Sequence, residues 1–448
     1  MRRALQWEVI RTLNVSGPSQ DPRGRLHRFR PDEWLDCLPW LRRSGLELLF
    51  WDHLQSSGHE QALPPRVRTC IERDASHNRQ RLAAMEAEFL SLILLFHNLH
   101  LPHAVLKGFA LVPDYCSSPE LRNQYDFDFL IRADDLPSVG GALRDAGFVP
   151  KGGNVANQPT IYHHAHRKPR LPATLDGIFS QDLHRPLELH TRLWDSRAES
   201  IGLQWSGDPL HRSRPQTLGG VCFPALAPED ALLFQVLHTF HHLLNNWCRL
   251  SLFHEIAVFL ERGSKDEQFW QTFRNLVQGQ DRLCQGIGVI FVLAGHLFGA
   301  RIPDAAKPFS SEALTPAMAL WVERYGVRSA IQNFSEDKFS LFLHRMFISD
   351  GATWAEVRTR RLFPLHRPHM TVSLEGTRGW RRWAALGKQA AHSCRRLFFH
   401  IKAGICYLLE IPFWSMRTRT LPVQGGLRSP QNIPPWTAPA GIVGGVED

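Results

Sequence analysis

Several features missing from this 448-residue chain narrow its class before any residue that is present does. No Cys-x-x-Cys pair occurs: the eight cysteines stand apart at positions 37, 70, 116, 222, 248, 284, 394 and 406. Thiols spaced this way match neither a disulfide framework nor a zinc site and are at ease in a reducing compartment, so a cytoplasmic location is expected. The opening residues, Met1-Arg-Arg-Ala-Leu-Gln-Trp-Glu, lack the apolar segment of a secretory signal. No apolar run approaches the roughly 20 residues of a spanning helix. Phe89–Phe96 is short, and Leu397–Trp414 is interrupted by His400, Lys402 and Glu410. A soluble protein is therefore expected. Gly-x-Ser-x-Gly, the P-loop, the dinucleotide fingerprint and internal repeats are also absent.

Acids are scarce in one region only. Residues 351–428 hold fourteen Lys/Arg against three Asp/Glu, while the whole chain carries +9. The remainder is thus near neutral, and the basic C-terminal region points to an anionic partner, a membrane surface or a nucleic acid. Within it, Arg381, Arg382, Lys388, Arg395, Arg396 and Lys402 interleave with Trp380, Trp383, Leu397, Phe398 and Phe399. The pattern suits an amphipathic helix on anionic lipid, a segment tracking a nucleic-acid backbone, or a terminal helix packed on the body with its basic side in water. From Leu421 onward Pro and Gly dominate, and a disordered tail is expected.

What is present suffices for a globular protein of more than one structural unit: 43% hydrophobic and 21% charged residues. The spacing divides the chain into a helical region over 1–99, a mixed α/β core over 100–225, a second helical region over 226–370, the basic helical segment 371–419 and the tail 420–448. Residues 31–57 read as two helical pieces broken near Pro39. Residues 65–99 read as one long helix, with Leu82, Met85, Phe89, Leu92, Ile93 and Phe96 at three- and four-residue steps. Pro102–Leu106 suits a buried strand closed by the turn Lys107-Gly108, with a short helix over Phe109–Tyr115. Tyr125–Arg132, Thr160–His166 and Pro186–Leu193 read as strands, Asp134/Asp135 to Leu143 as a helix, and Lys168–Pro186 as a loop. A further helix starts at Pro228-Glu-Asp, and helical periodicity continues to about Phe347.

Residues i and i+2 of a strand share a face, so Asp126 and Asp128 project together while Phe127, Phe129 and Ile131 turn to the opposite, buried side. Two carboxylates in low dielectric repel one another, and a divalent cation relieves the repulsion. Hard oxygen donors suit Mg²⁺ (or Mn²⁺) shared with substrate phosphates, and phosphoryl transfer depends on such positioning and charge neutralisation. Asp-x-Asp alone also fits two solvated acids. Its neighbours add to it: Lys107-Gly108 offers backbone N–H groups to a phosphate, Arg122 and Arg132 lie close in sequence, and Glu188 shares a strand face with His190. Lys107 suits a triphosphate or a surface position. Arg122 suits phosphate or a pair with Asp126. His190 reads as a packed or hydrogen-bonding histidine more readily than as a ligand. His163, His164 and His166 lack a third zinc-ligand spacing, and His238, His241 and His242 read as a helix face packed on the core.

The series Val-Leu-Lys-Gly-Phe-Ala-Leu (105–111), Leu-Arg-x-x-x-Asp-Phe-Asp-Phe-Leu-Ile-Arg (121–132), Ala-Gly-Phe (146–148) and Leu-Glu-Leu-His-Thr-Arg-Leu (187–193) resembles the bacterial nucleotidyltransferase family of the polymerase-β-like superfamily. The likeness extends loosely through both helical flanks to about Trp414. It implies an α/β (α+β) fold, with a small mixed-sheet nucleotidyltransferase core between N-terminal and C-terminal helical regions. It also implies Asp126 and Asp128 as the metal pair, Glu188 as the third carboxylate that helps activate the attacking hydroxyl, and Gly108 with Lys107 beneath the nucleotide phosphates. Two positions depart from the pattern. Phe109 replaces the usual small residue after the glycine, and Glu255 stands where relatives tend to show Asp, with no role readable from the sequence. The expected reaction is metal-dependent transfer of a nucleoside monophosphate from an NTP to a hydroxyl-type acceptor, a sugar, other small molecule or peptide. A non-catalytic adaptor of the same fold, working through its basic C-terminal region, is the alternative.

Overall fold

The computed structural model describes residues 2–17, 22–151, 160–165, 178–180, 185–332, 337–363 and 379–421. His166, most of the expected loop 168–186 and the expected tail from 422 lie outside the described residues. Among the described residues the chain is mixed α/β, with helical regions towards both ends and one seven-stranded sheet.

The strands are β1 (His103–Val105), β2 (Phe127–Ile131), β3 (Phe148–Pro150), β4 (Thr160–His164), β5 (Leu187–His190), β6 (Arg214–Leu218) and β7 (Val221–Ala225). Their order is β3-β4-β5-β2-β1-β7-β6. β2 is central: it runs parallel to β5 on one side and antiparallel to β1 on the other. All five residues of β2 are buried, which explains why the run Phe-Asp-Phe-Leu-Ile is apolar on both faces except at position 128. One face of the sheet, with Phe127, Phe129 and Ile131, packs on the helix Pro65–Asn98 through Leu82, Met85, Phe89 and Phe96. The other face, with Ala104, Leu106 and Leu130, meets Phe234 of the helix Pro228–Leu244.

Sequence periodicity located the long helix and its proline start, but other elements differ from expectation. Pro39 lies inside the helix Pro31–Ser44 rather than breaking it; the break falls at Gly45, whose φ of +73° forms the left-handed cap. Pro39 lacks the N–H that would bond to the carbonyl of Leu35, a residue on the exposed side of the helix. Phe109–Tyr115 is not a regular helix but the single 3₁₀ turn Gly108–Leu111. The strand expected from Tyr125 begins at Phe127, so Asp126 sits at its entrance. The hairpin β6–β7 was not anticipated, although Gly219-Gly220, with φ of +55° and +79°, is the two-residue turn that right-twisted strands require.

The helices before and after the sheet share one apolar core. Trp34, Leu41 and Phe50 lie in the same buried cluster as Phe240, Phe253 and Phe298, and Trp40 Nε1 donates to the Ile331 carbonyl at 3.0 Å. The sheet is therefore held between elements far apart in sequence. Among the described residues two helices, Asp281–Phe298 and Arg382–Arg419, are long and apolar enough to cross a membrane by length and composition, although neither is an uninterrupted apolar run in the sequence. The first has 67% of that stretch buried in the protein and the second 11%.

Candidate active site

The carboxylates meet because β2 and β5 pair in parallel with Asp128 opposite Glu188. Strand alternation then brings His190 to the same face as Glu188. The ligand atoms of Asp128, Glu188 and His190 all lie within 4.8 Å of one another. His190 Nε2 is 3.0 Å from Asp128 Oδ1 and 3.7 Å from Glu188 Oε2. Asp126 lies outside that group but shares a cation with it: Lys107 Nζ is 2.9 Å from Asp128 Oδ1 and 3.9 Å from Asp126 Oδ2. Asp126 and Asp128 thus project together, as alternation requires, and Lys107 reaches both. His190, expected from the sequence to pack or to hydrogen-bond, makes its hydrogen bond to Asp128 inside the cluster.

Burial and charge set distinct states for these groups. Burial raises the Asp128 carboxyl, but Lys107 and the hydrogen bond from His190 outweigh it and hold the group down to about 2. Asp126 goes the other way: burial and the adjacent Asp128 push it up to about 6, against Lys107. Burial lowers His190, yet its hydrogen bonds to Asp128 and Glu188 dominate and raise it to about 9. Lys107 is likewise raised despite its burial, by Asp126, Asp128 and Glu188. At neutral pH a lysine ammonium and an imidazolium therefore compensate the acids.

One oxygen remains uncommitted. Asp128 Oδ2 is buried and accepts no hydrogen bond, an expensive condition for a carboxylate in a central strand. The carboxylates of Asp128 and Glu188, with that oxygen among them, form a donor set that fits a divalent cation, with the protonated His190 beside them as a hydrogen-bond donor; the hard oxygens suit Mg²⁺ or Mn²⁺.

The turn below the cluster depends on one glycine. Gly108 has φ +71°, and a Cβ there would overlap the Gln124 side-chain amide. That amide donates to the Asp126 carbonyl at 3.1 Å, so the missing side chain lets Gln124 fix the entrance of β2. Phe109, the departure from the family pattern, is buried against Phe89 with ring centres 5.0 Å apart. It serves the core and offers no hydroxyl.

Arg122 does not pair with Asp126. Its guanidinium makes a two-pronged contact with Glu255 of the helix Leu250–Arg262, Nε to Oε1 at 2.8 Å and Nη2 to Oε2 at 3.2 Å. Its third nitrogen lies 3.5 Å from the Gly108 carbonyl. Glu255, whose role the sequence left open, thus anchors the arginine that ties the C-terminal helices to the Lys107-Gly108 turn.

A second set of residues escaped sequence reading altogether. Arg81, in the middle of the long helix, is fully buried and donates to the Gln124 carbonyl. Asn78 donates to the Glu120 carbonyl at 2.8 Å. Arg81 and Arg249 stand on the Tyr125 ring, 5.3 and 5.0 Å from its centre. Together they clamp the segment 120–125 that delivers Asp126. The signal in sequence was polar residues at positions 74, 78 and 81, on the otherwise apolar stripe of the long helix.

The helix Pro228–Leu244 adds His238 and His242, whose Nε2 atoms are 3.1 Å apart. Burial and the nearby Lys107 keep both well below the usual histidine range, so both are neutral. A cavity of about 740 Å³ opens elsewhere, at the C-terminal ends of β2 and β5, lined by Arg132, Thr191, Arg192 and Trp205 among others.

Comparison with known proteins bears on this geometry. The model of a family described as an uncharacterised nucleotidyltransferase matches residues 30–299, more than half of the chain. No curated protein and no solved structure matches it.

Proposed function

The chain belongs to this nucleotidyltransferase family, and from that membership we propose that it moves a nucleoside monophosphate from an NTP to a hydroxyl-type acceptor, with Mg²⁺ or Mn²⁺ as cofactor. The observation that carries the proposal is the register of β2 against β5, which sets Asp128 beside Glu188 next to the Lys107-Gly108 turn. The likeness to polymerase-β-like enzymes supports the same residues.

Asp126, Asp128 and Glu188 would hold the ion, which when bound supplies the positive charge that phosphoryl transfer needs. Lys107, now the counter-ion of both aspartates, is placed to neutralise phosphate oxygens once other positive charge compensates the acids. The acceptor oxygen forms a bond to the α-phosphorus, the bond from that phosphorus to the bridging oxygen breaks, and pyrophosphate leaves. The acceptor proton passes to the Glu188 carboxylate. His190 orients Asp128 through its 3.0 Å hydrogen bond. Gly108 and Gln124 keep the turn and the strand entrance in register, and Arg122 on Glu255 braces the same turn from beneath. The acceptor is a sugar, another small molecule or a peptide.

The test pairs Mn²⁺ titration by calorimetry with label transfer from α-labelled NTPs. Asp128→Asn is expected to lower transfer by about 10³-fold, and Asp126→Asn/Asp128→Asn to lose ion binding and transfer together. EDTA should stop the wild-type reaction. Metal-dependent NTP consumption that continues unchanged in the double variant would sink the proposal.

A further inference from the structure

We infer that the helix Trp380–Arg419 docks this protein on an anionic lipid surface, lying in the boundary between headgroups and acyl chains through the face it turns away from the body. The inference stands apart from the reaction above, since that face and the carboxylate cluster share no residue.

The helix has three distinct sides. With about 100° between successive residues, Leu397, Phe398, Ile401, Ile405, Leu408 and Leu409 fall within one arc of about 120°. Each is 50% to 70% exposed. Trp383 and Met416 continue the same stripe towards the two ends, at 76% and 59% exposed. The opposite side is the packed one. Ala403 and Tyr407 are buried, the Tyr407 ring lies 4.8 Å from Phe342, and Trp414 lies 5.3 Å from Phe342. Glu410 accepts from the Tyr325 hydroxyl at 2.5 Å and from Arg417 at 2.6 Å, which locks this side to the body. Along one flank between the two sides run Lys388, Arg395 and Lys402, all exposed.

A stripe of this size on a folded surface calls for a covering partner, and the charge pattern selects which. The helix holds eight Lys/Arg and one acid, and that acid is already committed to Tyr325 and Arg417. A second copy of the chain would set the same cationic flank against itself. A nucleic acid would satisfy the cations but leave the leucines and isoleucines facing phosphates. An anionic bilayer satisfies both sides at once: acyl chains take the aliphatic stripe, and headgroups take the lysines and arginines that snorkel along its edge.

The helix lies flat rather than spanning. Its 40 residues extend about 60 Å, roughly twice the hydrocarbon thickness. Its most apolar stretch is also where Ala403, Tyr407 and Trp414 bind the body, so a perpendicular insertion would take the Glu410–Arg417 pair and its soluble neighbours into hydrocarbon. By contrast the helix Asp281–Phe298, of similar hydropathy, is accounted for by its burial in the core.

The experiment is flotation of the full-length protein with vesicles of phosphatidylcholine alone or mixed with phosphatidylglycerol, at low and high salt. Partition onto the mixed vesicles, reduced by salt, is the expected result. Lys388→Gln/Arg395→Gln/Lys402→Gln should weaken it about 10²-fold. Ile401→Asp/Leu408→Asp should weaken it at least about tenfold while leaving circular dichroism, elution volume and NTP consumption as in wild type. Failure to float with either vesicle overturns the inference, as does flotation untouched by the aspartates. So does binding that a nucleic acid competes away but vesicles do not. A lipid-free dimer that Ile401→Asp/Leu408→Asp converts to monomer would assign the face to a second copy instead.

Discussion

The centre of the sheet and the terminal helix reverse the usual distribution of polar and apolar groups in opposite ways. Around β2, charged groups lie inside the protein: Asp128 and Lys107 are buried or nearly so, and Arg81 and Glu255 join them a few residues away. Along Trp380–Arg419, leucine, isoleucine and phenylalanine lie outside. The buried charges are stabilised by partners within the chain, bound at fixed distances and drawn from segments far apart in sequence. The exposed apolar groups have a partner on one side only. The contrast separates the two proposed points of external contact: at the sheet, a small cluster of carboxylate oxygens that includes the buried Asp128 Oδ2; at the helix, a whole surface.

If the inner charges are truly interdependent, breaking one pair should be the most damaging change. Arg122→Met leaves Glu255 buried without its partner and is expected to cost about 3–5 kcal/mol, measured by urea unfolding. Arg122→Met/Glu255→Met should recover much of that loss in a double-mutant cycle. Additive losses would mean that the two residues do not stabilise one another.

Tyr407 and Ile401 sharpen the comparison within one helix. Tyr407→Ala removes a buried ring and should cost about 3 kcal/mol, read as detachment of the helix by hydrogen exchange. Ile401→Asp, on the outer face, should change stability in lipid-free buffer by no more than about 0.5 kcal/mol. Equal effects would show that both sides are packed.

A smaller, pH-dependent effect probes another inner charge. Burial raises Glu199, but the hydrogen bond from His241 at 2.7 Å and that from Asn245 at 2.8 Å prevail and hold it down to about 2. Its unfolded value is about 4.3. Because the folded value is the lower one, the stabilisation is present above about pH 4.3 and is lost as pH falls towards 2. It amounts to roughly 2 kcal/mol, discounted because His241 is partly exposed. Glu199→Gln should flatten the stability profile in that window, followed by thermal unfolding across pH.

Part of this architecture could be read from local pattern. The three- and four-residue spacing from Leu82 to Phe96 marked the long helix, and alternation around Asp126 and Asp128 marked β2. Glu188 stood out as an acid between apolar neighbours, with His190 on the same face. The hairpin β6–β7 is legible in Gly219-Gly220, and the helix break lies at Gly45 rather than near Pro39. Length and composition of Arg382–Arg419 already signalled an apolar surface that counting uninterrupted runs concealed.

The partners of the charged groups were not legible, because no local period encodes them. Lys107 could have stood in solvent until β1 placed it against the two aspartates, and Arg122 could have faced Asp126 until the helix Leu250–Arg262 brought up Glu255. Arg81 reads as an ordinary polar helix residue until the segment 120–125 closes over it. The sequence by itself determined which segments are helix or strand and which of their faces are apolar, since those depend on periods of 3.6 and 2 among near neighbours. Only the tertiary structure decided the register of β2 against β5, sixty residues apart in the chain, and with it which charges meet, because that choice is made by packing both faces of the sheet at once.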